Sequence, residues 1–289
     1  MRGGTKSRGY TIIEVMIFLA ISGLMFVIAA VFVSGKQANA EFSQGINDIN
    51  TRIQQVISDV SNGFYPATNN FSCQGNIGFP NTITFPPASV NQQGTNGGTN
   101  TSTNTVGCVF MGKVIQIGTD ASPSAYNIFS VTGLQYTDTH TTLPTTYKDA
   151  VPTVIIASGV TQNETLNWGL KVTKMTSDGA PINGLAFLSS LNSGAESASQ
   201  NVVVVPIPGD QTLTNSEATM ATAINTKLQS LAINPTTNPK ILICFDGGRS
   251  KYGTLTIGNS IGTSGQRLGT NIQIYSDTTS WYSAGCTPS

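Results

Sequence analysis

The stretch GYTIIEVMIFLAISGLMFVIAAVFVSG, Gly9 to Gly35, decides how the rest of the chain is read. From Val15 to Gly35 it carries no charge. At about 1.5 Å per helical residue that run matches the roughly 30 Å hydrocarbon core of a bilayer. Arg2, Lys6 and Arg8 precede it, which keeps the extreme N-terminus cytoplasmic and sends the remainder across. One residue breaks the apolar pattern. Glu14 stands inside it, and a carboxylate at membrane depth costs about 2.5–3.5 kcal/mol at the centre, less near an edge. The chain has no Lys, Arg or His between Tyr10 and Gly35, so a counter-charge for Glu14 has to come from elsewhere.

Towards the C-terminus the apolar run continues as an amphipathic helix, with no turn signal before Asn62-Gly63 and Pro66. Phe42, Ile46, Ile49, Ile53, Val56, Ile57 and Val60 recur at spacings of three and four, which places them on one face. Asn47, Asp48, Arg52, Gln55 and Asp59 fall mostly on the other. The spacing predicts one helix over 10–62, about 80 Å long, with a transmembrane half over 11–34 and a second half suited to packing on a sheet. Gly23, Gly35 and Gly45 are its expected soft points, each weaker than Ala by up to about 1 kcal/mol.

Beyond Pro66 the pattern changes to short β-like runs between Gly, Asn, Pro and Ser clusters. The expected strands are NTITF ending at Phe85, CVFMGKVIQI from Cys108, YNIFSV from Tyr126, TVIIAS from Thr153 and TLNWGLKV from Thr165. NVVVVPI from Asn201, KILICF from Lys240, YGTLTIG from Tyr252 and NIQIYS from Asn271 follow. Asn91 to Asn104 reads as a low-complexity loop. One more helix is expected from Asn215 to Ala232, where Met220, Ile224, Leu228 and Leu231 share a face. The fold class is therefore α+β: a long N-terminal helix docked on a mainly antiparallel β head over 63–289.

Composition narrows the function. Charged residues are 10 % of the chain, against about 25 % in ordinary globular proteins, and net charge is zero. That offers nucleic acid no electrostatic footprint, while the excess of neutral hydroxyls and amides suits work outside the cell. His140 is the one histidine and sits in a polar run, with no G-x-S-x-G elbow beside any serine. Ser177-Asp178-Gly179 and Asp246-Gly247-Gly248 read as turns after strands and lack D-x-D-x-D-G calcium spacing. Gly262 to Gly269 is glycine-rich without a phosphate-loop lysine. Trp168 and Trp281 read as core or sheet-packing residues before adhesive ones. No catalytic residue, cofactor or metal is expected, and the chain does not read as an enzyme.

The cysteines are Cys73, Cys108, Cys244 and Cys286, with no C-x-x-C pair for zinc. Four cysteines allow three pairings. Neighbour pairing, Cys73–Cys108 with Cys244–Cys286, closes the shortest loops, each worth about 4 kcal/mol on the chain-entropy view. Disulfides agree with export to an oxidising compartment; four buried thiols are the alternative.

Gly9, Tyr10, Glu14 and the run Val15 to Val33 together resemble type IV prepilins and pseudopilins. The resemblance covers about the first 60 residues. Tyr10 stands where that family commonly has Phe. The resemblance implies a leader over 1–9, cleavage between Gly9 and Tyr10 by a membrane prepilin peptidase, and N-methylation of Tyr10. It implies that Glu14 neutralises the Tyr10 amine of an adjacent subunit as helices leave the cytoplasmic (inner) membrane for a filament. It further implies an assembly platform and ATPase as partners, other copies or related pilins as neighbours, and a C-terminal loop bounded by Cys244–Cys286. The expected product is a structural subunit of a cell-surface filament. The alternative is a minor pilin or type II secretion pseudopilin whose head binds a surface, DNA or a secreted substrate.

The competing reading is an ordinary secretory signal, with Ala38-Asn39-Ala40 as its cleavage motif. The apolar stretch exceeds the usual 7–15 residues, contains Glu14, and runs straight into the amphipathic pattern. The mass and N-terminal sequence of the mature protein separate the two. Tyr10 carrying one added methyl group is the expected terminus; Glu41 would mean ordinary secretion.

Overall fold

The computed structural model describes residues 11–63, 74–75, 83–84, 108–119, 122–134, 144–156, 160–189, 202–209, 217–231, 239–248, 250–259 and 268–287. Pro66, Phe85, the Asn91–Asn104 run, His140 and most of Gly262–Gly269 lie outside them. A helix of 50 residues, α1 (Ile12–Ser61), opens the fold. Thr11 caps it at one end and Asn62 at the other, where the sequence spacing runs out. It passes without a break through Gly23, Gly35 and Gly45. Gly45 is a point of close approach, since a Cβ there would stand 3.3 Å from the Asn167 carbonyl and 3.5 Å from the Trp168 ring.

A small pair, β1 (Gln74–Gly75) with β2 (Ile83–Thr84), follows. Then come β3 (Cys108–Thr119), β4 (Ser122–Leu134), α2 (Tyr147–Ala150), β5 (Thr153–Ile155), β6 (Gln162–Thr165), β7 (Lys171–Ser177) and β8 (Ala180–Ser189). The chain ends with β9 (Val202–Pro208), α3 (Glu217–Gln229), β10 (Ile241–Asp246), β11 (Tyr252–Asn259), β12 (Leu268–Tyr275) and α4 (Thr278–Ser283). Ten strands form one sheet in the order β12-β11-β10-β7-β8-β3-β4-β5, with β6 beside β4 and β9 beside β8. The pairings are antiparallel throughout. This is the α+β arrangement expected, a long helix and a mainly antiparallel head.

The sheet alternates as a half-buried strand must, but both faces are covered. On one face Ile115, Ile128, Leu185, Phe187, Val204, Ile243 and Leu255 join the α1 stripe. On the other, Val114, Phe129, Ala186, Leu188 and Val205 pack with Tyr147, Ala150, Ala221, Ile224 and Leu228 of α2 and α3. The Tyr147 hydroxyl donates to the Ser189 carbonyl at 2.9 Å, and burial pushes its pKa well above the usual phenol range. At the β10–β12 end, that same outer face is closed by α4 and the Cys244–Cys286 disulfide, Cα–Cα 5.7 Å. Asp277 caps α4, and the Ser280 N–H it accepts holds its carboxyl below the ordinary range. Trp281 is buried there, stacked on Tyr252 at 4.6 Å and donating to the Gly253 carbonyl.

Two expectations about strands are corrected, and one strand stands where none was expected. TLNWGLKV is not one strand: Asn167, Trp168 and Gly169 form a turn between β6 and β7, closed by Leu170 N–H to the Asn167 carbonyl at 3.2 Å. TVIIAS shortens to Thr153–Ile155. The central strand β8 has no counterpart among the sequence candidates. It follows β7 through Asp178 and Gly179, both left-handed at φ 47 and 88, which is a two-residue hairpin turn.

The second half of α1 holds the head by its stripe. Phe42, Ile46, Ile49, Ile53, Val56 and Val60 are buried and Ile57 partly so. Each fully buried side chain is worth about 1.5–3 kcal/mol relative to exposure. Two residues expected on the outer face instead reach the sheet. Asp59 pairs with Lys113 at 2.6 Å, and Arg52 hydrogen-bonds Gln162 and Gln55. Lys113 is 8 % exposed, so removing the Asp59 charge takes the carboxylate of this ion pair from a desolvated ammonium. Asp59→Asn is expected to cost about 3 kcal/mol, the low end for a broken buried pair. In the detergent-solubilised full chain this reads as a melting temperature lower by about 6–12 °C. An unchanged melting temperature would show that Asp59–Lys113 does not anchor the helix.

Candidate assembly site

Every residue of α1 from Ile12 to Val33 is exposed, the large apolar ones from 46 % at Val15 to 82 % at Ile12. The segment is long and apolar enough to cross a membrane, and none of its most apolar window is buried. The same helix therefore has two characters. One half is covered by its own head; the other is uncovered among the described residues. At about 2 kcal/mol for each large side chain left in water, the exposed half is incompatible with aqueous solution. Beyond its first turn the backbone groups are satisfied within the helix, and the Ser22 hydroxyl donates to the Leu19 carbonyl at 3.1 Å, so Glu14 is the one side chain in it that resists a lipid or protein surround.

The start of the helix places Glu14. Thr11 is extended at φ −78 and ψ 150, and its carbonyl and hydroxyl both accept from the Glu14 N–H, at 3.1 and 3.4 Å. Thr11 to Glu14 is thus the T-x-x-E spacing of a capping box. A carboxylate at the third helical position also faces the positive end of the helix dipole, so Glu14 has a local reason to stand there. The T-x-x-E spacing is itself legible in the sequence. It does not supply a full counter-charge. Among the described residues no ion pair reaches Glu14. Lys36, the next cation along α1, lies about 33 Å away and over the Phe32 ring at 5.4 Å.

Gly9 and Tyr10, the expected cleavage pair, lie outside the described residues, as does Cys73. Of Cys108 only the backbone, as the start of β3, is described. Cys244 and Cys286 are joined. Trp281 is a core residue, as expected, whereas Trp168 is 48 % exposed. Among the described residues no cluster of His, Cys, Asp or Glu could hold a metal ion.

The pattern described as the prokaryotic N-terminal methylation motif matches residues 4–30. No curated protein and no solved structure matches the chain. The N-terminal segment is type IV prepilin-like. Motif and apolar helix together support a membrane-anchored precursor of pilin or pseudopilin type, with processing and assembly in general as its fate.

Proposed function

We propose that the chain is the precursor of a structural, non-enzymatic subunit of a type IV pilus-like surface filament. A prepilin peptidase cuts between Gly9 and Tyr10, the Tyr10 amine is methylated, and a platform and ATPase draw the mature subunit from the membrane. The observation that carries the reading is the uncovered half of α1, continuous with the half that grips the head. A lipid bilayer covers that half first; the same halves of neighbouring copies cover it afterwards. Bundling apolar helices moves Glu14 from the bilayer edge into a protein core. There its charge needs a partner, and the new Tyr10 amine of the next copy is a cation at the right depth.

The size of the head favours one further reading, a minor or secretion-type pilin whose head binds a surface, DNA or a secreted substrate. Copy number in purified filaments separates the two, since a minor subunit is present a few times per filament.

Glu14→Ala tests the assembly mechanism. The variant is expected to be inserted and cleaved like the wild type yet to reach filaments at under about a tenth of wild-type yield. Loss of an interaction worth about 1.4 kcal/mol at each subunit addition already gives a tenfold shift. Normal filament yield would contradict the role given to Glu14.

A further inference from the structure

A sheet edge presents a row of unpaired N–H and C=O groups, and proteins blunt it with proline, charge, shortness or a covering element. At the margins of the ten-stranded sheet stand β9, β5, β6 and β12. β9 carries Pro206 and Pro208. β5 is three residues long, and the Asn225 side chain of α3 accepts from its Val154 N–H at 2.8 Å. β6 is four residues long and carries Glu164. β12 differs from all three. Its sequence, LGTNIQIY, has no charge and no proline, and it pairs with β11 from Tyr252 with Tyr275 to Asn259 with Leu268 without a bulge.

With β11 on one side, no backbone group of β12 bonds anything on the other among the described residues. Alternate residues of an antiparallel strand turn their N–H and C=O outward, so this edge is a template for one more strand. The strand is also held ready. Gln54 of α1 donates to the Thr270 hydroxyl at 2.9 Å, and the Tyr275 hydroxyl donates to Gln273 Oε1 at 2.6 Å. At the Tyr275 end Trp281 of α4 packs on one face, which leaves Asn271, Gln273 and Ile274 exposed.

We propose that the β12 edge pairs antiparallel with β12 of a second copy of the chain, continuing the sheet from one head into another. The proposal rests on the filament reading above. The open ladder calls for an extended partner, and an uncharged strand can pair with itself where a charged one would repel its copy. A two-fold axis through Ile272 sets Ile272 against Ile272, Thr270 against Ile274 and Asn271 against Gln273, so no like charges meet. The other margins are blunted and offer no equal partner. The same symmetry fixes who can meet. α1 lies along one face of the sheet, so a two-fold axis perpendicular to that face reverses its direction. Copies anchored in one membrane, or pointing the same way in one filament, cannot pair like this. The contact therefore joins filaments lying antiparallel, side by side. One strand pair is a small interface, but repetition along two filaments multiplies it.

Asn271→Lys combined with Gln273→Lys in the full chain tests this, because lysine then faces lysine across the axis. Both side chains are exposed, so the melting temperature in detergent and the filament yield should stay at wild-type values. Wild-type filaments are expected to form antiparallel bundles, seen by electron microscopy and recovered by low-speed sedimentation. The lysine variant should lower the sedimenting fraction by at least about tenfold, since repeated contacts multiply each loss. Asn271→Glu with Gln273→Glu should do the same alone, and mixing the two kinds of filament should restore bundling. Single filaments from the wild type, or wild-type bundling by either variant alone, would overturn the proposal. A mixture that stays single would overturn the assignment of the occupant, and bundles of filaments all pointing one way would overturn the two-fold geometry. In otherwise wild-type bundles, a photo-crosslinking amino acid at position 272 should join residues 268–275 of another copy; adducts only to other segments or other proteins would contradict the pairing. Wild-type cells without filaments would overturn the filament reading itself, a result distinct from all of these.

Discussion

One helix has to satisfy two surroundings at once, and the rest of the molecule follows from that constraint. Its second half gains stability only because Phe42, Ile46, Ile49, Ile53, Val56 and Val60 meet a sheet of matching apolar residues. Its first half offers apolar side chains in every direction and is exposed among the described residues. A helix apolar on all sides belongs in lipid or in the middle of a bundle. Because the two halves share one unbroken backbone, whatever holds the first half also carries the head.

The head is built to bear that attachment. Both faces of the sheet are buried, by α1 on one side and by α2, α3 and the disulfide corner on the other. Polar contacts line the edges of the docked helix. Asp48 meets Asn167, Arg52 meets Gln162, Gln54 meets Thr270 and Asp59 meets Lys113. The first three face solvent and add little net stability, and the fourth is partly desolvated, but together they favour one register of helix on sheet over a slide along the stripe. Lys174 further ties the C-terminal corner to β7 by donating to the Gly285 carbonyl at 3.1 Å.

The helix was legible because its information is local. A stripe at spacings of three and four, ended by Asn62-Gly63, gives both its span and its buried face. Strands with one dominant apolar run, such as those beginning near Cys108, Asn201 and Lys240, were legible for the same reason. β8 was not, since burial on both faces removes the alternation that marks a strand; the Asp178-Gly179 hairpin signal ahead of it was the available clue. The Trp168 turn was hidden by β-favouring neighbours on either side. Arg52 and Asp59 were misplaced because helical periodicity assigns a face, not the distance at which a long side chain still reaches a partner. Of the assembly site, the apolar run and Glu14 were plain in the sequence. The Thr11 cap was written there too, and the free edge of β12 depends on a strand order that no local pattern encodes.

The central claim is that Glu14 completes its charge on another copy of the chain. A helical reconstruction of the assembled filament, at a resolution that shows side chains, tests it most directly. The Glu14 carboxylate is expected within hydrogen-bond distance of the Tyr10 amine of an adjacent subunit, about 2.7–2.9 Å, inside a bundle of the exposed helix halves. A carboxylate left facing lipid, or closed onto its own subunit alone, would contradict it.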